Sequence, residues 1–226
     1  MTLNEILEPF GIELDKFQLE KLETLYSTLI EWNEKINLTA ITEKEEVVVK
    51  HFADSIIPLK YFEGRVCDVG AGAGFPSLPL AIANPKLEIS MIDSVDKKVK
   101  YLNHAAKKLG LNAKASHVRA EDFAKGKREY FDTVTARAVA QIATLAEYLL
   151  PLCKVGGSVI MYKGGDVEEE LKAAERSVAV LGGKVRKVEK YSFAGQSRAI
   201  VVIDKVEKTP LRYPRPQNKP RTQPIS

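Results

Sequence analysis

Three alternating glycines at the end of an apolar strand constrain this chain more than any other feature. The segment reads Val66-Cys67-Asp68-Val69-Gly70-Ala71-Gly72-Ala73-Gly74-Phe75. Glycine turns tightly at little steric cost, and a side chain at Gly70, Gly72 or Gly74 would block close approach of a ligand to the backbone. The spacing differs from the G-x-G-x-x-G fingerprint of dinucleotide-binding folds. The segment therefore predicts a nucleotide-type cofactor, and a turn that binds nothing is the alternative.

Strand and helix patterns alternate from Gly64 onward, which predicts a doubly wound α/β sheet of seven strands. The last two strand patterns follow each other directly, so we expect an antiparallel hairpin at the end of the sheet. The predicted strands are 66–69, 87–92, 114–118, 131–135, 157–162, 184–191 and 198–204, and the predicted helices are 77–83, 96–109, 139–150 and 166–181.

Residues 1–60 are predicted to form helices that pack on the following domain. Apolar side chains recur there at three- and four-residue spacing over a polar face, which is typical of an amphipathic helix. These side chains are Phe17, Leu22, Leu25, Tyr26, Leu29 and Trp32. We therefore divide the chain into an N-terminal helical extension (1–60), a cofactor-binding domain (61–207) and a C-terminal tail (208–226).

The tail carries most of the excess positive charge. It holds five of the 34 lysines and arginines and none of the 30 acids, so the rest of the chain has a net charge of −1. Five prolines disfavour helix there and predict an extended, unpacked segment. Charge and extension together favour a polyanionic partner, and a solvated tail with no partner is the alternative. The five cations are Lys208, Arg212, Arg215, Lys219 and Arg221.

Composition excludes several other classes of protein. The chain starts without the basic and apolar regions of a secretory signal, and no stretch is apolar enough to span a membrane, so we expect a cytoplasmic protein. Cys67 and Cys153 are the only cysteines. Two cysteines are too few for a disulfide framework or a zinc cage, so no metal site is predicted and both are expected to be reduced core residues.

The residues that follow the predicted strands point to S-adenosylmethionine (SAM) as the cofactor. In open α/β sheets, ligands bind outside the carboxyl ends of the strands. The D-x-G-x-G-x-G spacing resembles the first motif of class I methyltransferases, which bind SAM. Asp93 ends the second strand, where an acid can accept hydrogen bonds from ribose hydroxyls, although it could instead cap a helix. The backbone at Ala120 and Glu121 could contact an adenine edge, or could be an ordinary polar loop.

The residues at the end of the fourth strand limit which atoms can be the methyl acceptor. It lacks the Asn/Asp-Pro-Pro-aromatic motif of enzymes that methylate exocyclic amines, and no cysteine falls at the end of the fourth or fifth strand to attack a pyrimidine carbon. A ring nitrogen with a free lone pair remains, for which alignment with the methyl group can suffice and no general base is needed. Arg137 and Lys163 could then bind phosphate or the O6 edge of guanine.

Further motifs along nearly the whole chain resemble the RsmG (GidB) family. They are Trp32 to Thr39, His51-Phe52-Ala53-Asp54-Ser55, Asp68 to Pro79, Asp93-Ser94 with Lys97-Lys98, Arg119-Ala120-Glu121, Ala136-Arg137-Ala138, Lys163-Gly164 and Arg212-Tyr213-Pro214-Arg215. The resemblance implies a SAM-dependent methyltransferase of class I fold that methylates guanine N7 in the decoding-region loop of bacterial 16S ribosomal RNA. It also implies cofactor contacts at Gly70, Phe75, Ala120, Glu121 and Arg137.

We therefore predict a monomeric rRNA guanine-N7 methyltransferase whose partner is 16S rRNA or the small ribosomal subunit. His51 and Asp54 would share a helix face and shape the acceptor pocket, or else fix the N-terminal helices by hydrogen bonds. Further candidates for RNA contact are Lys97, Lys98 and the tail cations. The alternatives are a non-catalytic SAM- or nucleotide-binding protein associated with RNA, and a methyltransferase of small molecules.

Overall fold

Seven strands form a single sheet in the computed structural model of this chain, which describes residues 1–137 and 140–225. In chain order they are β1 (Arg65–Val69), β2 (Glu88–Asp93), β3 (Ala113–His117), β4 (Phe131–Ala136), β5 (Cys153–Gly164), β6 (Gly183–Phe193) and β7 (Gln196–Lys205). Their spatial order is β3-β2-β1-β4-β5-β7-β6. Ala138, Val139 and Ser226 lie outside the described residues, so the predicted start of the helix 139–150 and the final tail residue do too.

The sheet has the predicted doubly wound topology. Strands β1 to β5 run parallel, whereas β7 pairs antiparallel with both β5 and β6. The predicted hairpin at the end of the sheet is thereby confirmed. The order reverses between β1 and β4, and ligands of such sheets bind at this switch point, beyond the carboxyl ends of the strands.

The helices cover both faces of the sheet. In chain order they are α1 (Leu3–Leu7), α2 (Lys16–Asn33), α3 (Lys44–Val47), α4 (Asp54–Ile56), α5 (Ser77–Ala83), α6 (Asp96–Lys108), α7 (Ala120–Lys127), α8 (Ile142–Leu149), α9 (Glu168–Val180) and α10 (Lys219–Thr222). Short 3-10 helices span Glu8–Phe10 and Ile57–Tyr61, and a π-helical turn spans Val48–Ala53 between α3 and α4. Among the described helices, none is long and apolar enough to cross a bilayer.

The N-terminal helices share a hydrophobic core with one face of the sheet. Leu25 and Leu29 of α2 are fully buried in a cluster that also contains residues of α5 and α6. Trp32 packs against Tyr101 of α6 with ring centroids 5.8 Å apart. The predicted amphipathic helix is confirmed, but its first apolar position is wrong. Phe17 is 75% exposed, because α2 begins at Lys16 and its first turn extends past the core.

Two segments differ from the sequence-based prediction. Residues 120–127 form helix α7, where the sequence patterns predicted no helix; Ala124 on this helix is buried. The tail was predicted to be unpacked, yet it is docked on the α8 side of the sheet, with Tyr213 and Pro220 buried. The guanidinium of Arg128 explains part of this docking, since it donates hydrogen bonds to three tail carbonyl groups. The acceptors are Thr209 O, Pro210 O and Tyr213 O.

The glycine loop after β1 provides a test of the fold. Gly74 has a φ of +88°, and a Cβ there would lie 2.9 Å from Leu78 Cγ and 3.1 Å from Leu102 Cδ2. Gly110 also has a positive φ (+60°), but a Cβ there would have no atom within 4 Å. Gly110→Ala should therefore cost about 1 kcal/mol of backbone strain. Gly74→Ala should cost about 1–3 kcal/mol more, because it adds overpacking to the strain.

Chemical denaturation followed by the fluorescence of Trp32, the only tryptophan, measures both costs. Equal losses in the two variants would contradict close packing of the loop against α5 and α6.

Candidate active site

A cleft of about 330 Å³ opens at the carboxyl ends of β1, β2 and β3. Four of the predicted cofactor-binding residues, Gly70, Asp93, Ala120 and Glu121, line it together. The remaining lining residues are Val69, Ile92, Ser94, Val118, Arg119, Tyr148 and Asn218. We call this cavity the cofactor cleft. No sequence pattern indicated Tyr148 and Asn218, which come from α8 and from the tail.

The three glycines of the loop have different structural surroundings. Gly70 and Gly72 have φ of +76° and +58°, and a Cβ at Gly70 would have no atom within 4 Å, so the backbone there faces open space. Gly74 instead packs against the side chains of α5 and α6. The expectation that all three glycines serve close approach of a ligand therefore needs correction at Gly74, where the constraint is packing within the protein.

Asp93 holds the glycine loop in place. Its Oδ2 accepts a hydrogen bond from the Gly72 N–H at 2.9 Å, and its Oδ1 accepts one from the Val95 N–H at 2.9 Å. A carboxylate oxygen can accept two hydrogen bonds, so each oxygen keeps a lone pair for a further donor. The predicted ribose contact stays a prediction, compatible with this geometry.

A buried carboxylate lies beneath the loop. Asp68 is fully buried in β1, and its Oδ2 accepts a hydrogen bond from the Ser77 O–H at 2.7 Å. Its Oδ1 has no hydrogen-bond partner within residues 1–137 and 140–225. Burial raises the pKa of Asp68 to about 7, and the hydrogen bond from Ser77 opposes that rise.

A second cavity of about 400 Å³ opens at the same edge of the sheet. It brings together four predicted acceptor-site residues, His51, Asp54, Arg137 and Lys163. The other lining residues are Ile41, Lys50, Tyr162, Gly164 and Arg198. We call this cavity the acceptor cavity. β1 and β4 are neighbours with Asp68 opposite Thr135, so Gly70 of the cofactor cleft and Arg137 of the acceptor cavity follow adjacent strand ends.

Arg137 is the centre of the hydrogen bonds around the acceptor cavity. Its Nη1 donates to Asp54 Oδ2 at 2.9 Å and to the Lys50 carbonyl oxygen at 3.0 Å. Its Nη2 donates to His51 Nδ1 at 3.1 Å. Its guanidinium carbon lies 5.3 Å from the centroid of the Phe75 ring. The planar fork of arginine makes this set possible, whereas a lysine would offer a point charge.

The same contacts define the protonation of His51. His51 Nδ1 lies 3.1 Å from Arg137 Nη2 and 3.2 Å from the Lys50 carbonyl oxygen. A guanidinium can only donate, so the Arg137 contact requires Nδ1 to accept, which assigns the ring proton to Nε2, 3.0 Å from Thr39 Oγ1. Burial and the neighbouring charge of Arg137 lower the pKa of His51 to about 4. The ring also stacks on Phe75, with centroids 4.4 Å apart. His51 is therefore neutral at physiological pH, and its basic nitrogen is occupied.

Arg198 is a site residue that the sequence analysis missed. Its Nε donates to Asp54 Oδ1 at 2.9 Å, so one buried carboxylate pairs with two guanidinium groups. It stands near the start of β7 and opposite Gly164 of β5. Because β7 runs antiparallel to β5, the first residues of β7 lie at the edge of the sheet where β5 ends. Arg198 could have been identified as a candidate site residue from this pairing.

The other predicted RNA-binding cations are distributed unevenly. Lys163 donates to Glu170 Oε1 at 2.7 Å and to the Ala140 carbonyl oxygen at 2.9 Å, and its side chain is only 9% exposed. Arg215 forms an ion pair with the fully buried Glu147. The remaining candidates are at least partly exposed and line neither cavity; they are Lys97, Lys98, Arg212, Lys219 and Arg221.

The site offers no cysteine nucleophile. Cys67 and Cys153 are free and buried, as predicted, and burial raises the pKa of both thiols, that of Cys153 to about 12. Within the part of the chain that the structure describes, no group of three His, Cys, Asp or Glu side chains could hold a metal ion. The available chemistry is binding and orientation by hydrogen bonds, charges and aromatic faces.

Proteins whose solved structures have a similar fold include a cyclase and a methyltransferase. The [4+2]-cyclase SpnF has a TM-score of 0.58 and 16% identity, covering 87% of this chain and 98% of that one. A precorrin-6y C5,15-methyltransferase from Geobacter metallireducens has a TM-score of 0.52 and 15% identity, covering 76% of this chain and 92% of that one. At these identities the likeness shows the fold alone, which is that of class I methyltransferases.

Curated relatives found by sequence have a much higher identity to this chain than these solved structures have. A ribosomal RNA small subunit methyltransferase G from Exiguobacterium sp. is 49% identical over 230 residues, covering 98% of this chain and 97% of the relative. One from Geobacillus thermodenitrificans is also 49% identical, over 97% of this chain and 96% of the relative. The family model described as rRNA small subunit methyltransferase G matches residues 18–201, from helix α2 to strand β7. The chain therefore belongs to the GidB family of rRNA small subunit methyltransferases G.

Proposed function

We propose that this protein transfers a methyl group from SAM to N7 of a guanine in the decoding-region loop of small-subunit ribosomal RNA. The observation that carries the proposal is that Gly70 of the cofactor cleft and Arg137 of the acceptor cavity follow neighbouring strands. Membership of the family supports the ribosomal RNA substrate. Such a substrate is consistent with action in the cytoplasm, and we propose that the protein acts there as a monomer.

The residues of the cofactor cleft fit SAM. Asp93 has lone pairs for ribose hydroxyls, and the backbone at Ala120 and Glu121 can contact the adenine edge. Gly70 leaves its backbone accessible because nothing fills the space that a Cβ would occupy. Asp68 Oδ1, which has no hydrogen-bond partner among the described residues, would be the acceptor for a donor that reaches beneath the loop, such as the α-ammonium group of SAM. Bound SAM would supply a methyl group on a sulfonium, which is electrophilic without further activation.

The charges of the acceptor cavity suit a nucleic acid. Asp54 provides one negative charge for the two guanidinium groups of Arg137 and Arg198, which leaves a net positive charge. Lys50 and Lys163 add cations, each paired with a glutamate. Cations bind RNA phosphates, and arginine or lysine can donate to guanine O6. The cavity can therefore bind and orient a base whose N7 stays free.

The histidine in the cavity is not suited to act as a general base. His51 has a pKa of about 4, and its Nδ1 already accepts from Arg137. Guanine N7 has an in-plane lone pair and loses no proton when it is methylated, so alignment is the main contribution that the protein must make. Methylation of a pyrimidine carbon would instead need a thiolate, and both cysteines are buried with raised pKa values.

SAM binding in the cofactor cleft predicts that Gly70→Ala weakens SAM affinity at least about tenfold, because the added methyl group enters the cleft and the positive φ strains the loop. Gly110→Ala is the matched control, because Gly110 also has a positive φ but is exposed and does not line the cofactor cleft. Calorimetric titration of both folded variants with SAM measures the effect. Unchanged affinity in Gly70→Ala would contradict the placement of SAM.

The proposed reaction predicts a product with a fixed positive charge on the guanine imidazole ring. Such a nucleotide is labile to reduction followed by amine-induced strand scission. Small-subunit RNA or subunits, methylated with labelled SAM and treated in this way, should break at one guanine of the decoding-region loop. RNA that carries label but resists scission would place the methyl group on another atom. Absence of label would favour a non-catalytic binding protein, and label on small molecules alone would favour the other alternative.

A further inference from the structure

The end of the C-terminal segment forms part of the cofactor cleft. Asn218 lines this cleft together with Tyr148, Asp93 and Glu121. Because Asn218 is about seventy residues from Tyr148 and almost a hundred from Glu121 in sequence, only a docked segment brings these side chains together. Docking of residues 208–225 therefore changes the composition of the cleft wall.

Asn218 is fixed by two hydrogen bonds to other residues of the cleft. The Tyr148 O–H donates to Asn218 Oδ1 at 3.1 Å. The Asn218 backbone N–H donates to Glu121 Oε1 at 3.3 Å. Its φ of +60° is in the left-handed region, which asparagine tolerates better than most residues. The geometry thus presents an amide side chain at the side of the cleft where Glu121 lies.

Buried ionic and polar contacts anchor the segment on both sides of Asn218. Before it, Arg215 donates to both carboxylate oxygens of Glu147, at 2.7–3.2 Å, and Glu147 is fully buried. After it, Pro220 is buried and its carbonyl oxygen accepts from the Thr144 O–H at 3.1 Å. A buried carboxylate requires such a partner, since an unpaired buried charge is strongly unfavourable. The segment is therefore part of the folded domain.

We propose that the C-terminal segment is a wall of the cofactor cleft and that Asn218 binds the adenosyl end of the cofactor. This inference rests on the proposed function, because it takes the cleft to be the SAM site. We assign the adenosyl end of the cofactor because Asn218 contacts Glu121, and the backbone of Ala120 and Glu121 is expected to contact adenine. Arg215 accordingly serves to hold the segment, and its ion pair with Glu147 removes it from the cations available to RNA.

Binding and docking must then stabilise each other. A ligand that binds better to the docked state shifts the segment toward that state by its differential affinity. Backbone amides of residues 213–223 should exchange with deuterium more slowly when the cofactor product S-adenosylhomocysteine is bound. The amides of α2, which lies on the other face of the sheet, should be unaffected.

The experiment compares Asn218→Gly with Gln217→Gly in the full chain. Both residues have a φ of +60°, so both substitutions relieve backbone strain and add freedom to the unfolded chain, but Gln217 does not line the cleft. Calorimetry should show S-adenosylhomocysteine and adenosine each binding about five- to tenfold more weakly to Asn218→Gly, the value of one lost hydrogen bond. Gln217→Gly should match the original chain within about twofold.

The outcomes separate the two proposals. If the original chain does not bind S-adenosylhomocysteine, the proposed function fails and this inference fails with it. If the original chain binds and Asn218→Gly binds equally well, with no change of exchange in residues 213–223, the inference fails and the proposed function stands. Loss of affinity for S-adenosylhomocysteine without loss for adenosine would also overturn it, because the contact would then lie at the methionine end.

Discussion

The buried carboxylate of Asp54 joins three distant parts of this chain. It lies at the start of α4, and it accepts hydrogen bonds from Arg137 after β4 and from Arg198 near the start of β7, both at 2.9 Å. Only 5% of its side chain is exposed, and the two guanidinium groups compensate the cost of burying a charge there. The acceptor cavity consequently has a definite shape only when the N-terminal helices are docked on the sheet. The helical extension is thus part of the site.

Arg137 extends this connection toward the cofactor cleft. It contacts His51 and faces the ring of Phe75, the residue that directly follows the glycine loop. The loop itself is held by Asp93 on one side and by packing of Gly74 on the other. A continuous set of contacts therefore links the residues expected to hold SAM with those expected to hold the base. Two reactants fixed in this way need little from the protein beyond orientation.

Local patterns in the sequence predicted the sheet and several residues that line the two candidate cavities, whereas contacts between distant residues could not be predicted. The strands were recognisable because buried parallel strands are short apolar runs that end in glycine or polar residues, as at Gly70 and Asp93. The pairing of β7 with β5 could have placed Arg198 at the edge of the site, but its contact with Asp54, 144 residues away, has no local signal. The prolines and charges of the tail predict an unpacked segment, because they resemble those of disordered segments. No pattern in the sequence near Arg128 indicates that its guanidinium binds carbonyl groups of the tail.

The central claim is that a guanine base enters the acceptor cavity beside a cofactor bound in the neighbouring cleft. A structure of the protein on the small ribosomal subunit with S-adenosylhomocysteine tests it most directly. The account predicts the cofactor product between Gly70, Asp93 and Ala120, and one guanine in the cavity lined by His51, Arg137 and Arg198, with N7 directed at the sulfur. A guanine bound elsewhere, with this cavity filled by solvent, would contradict it.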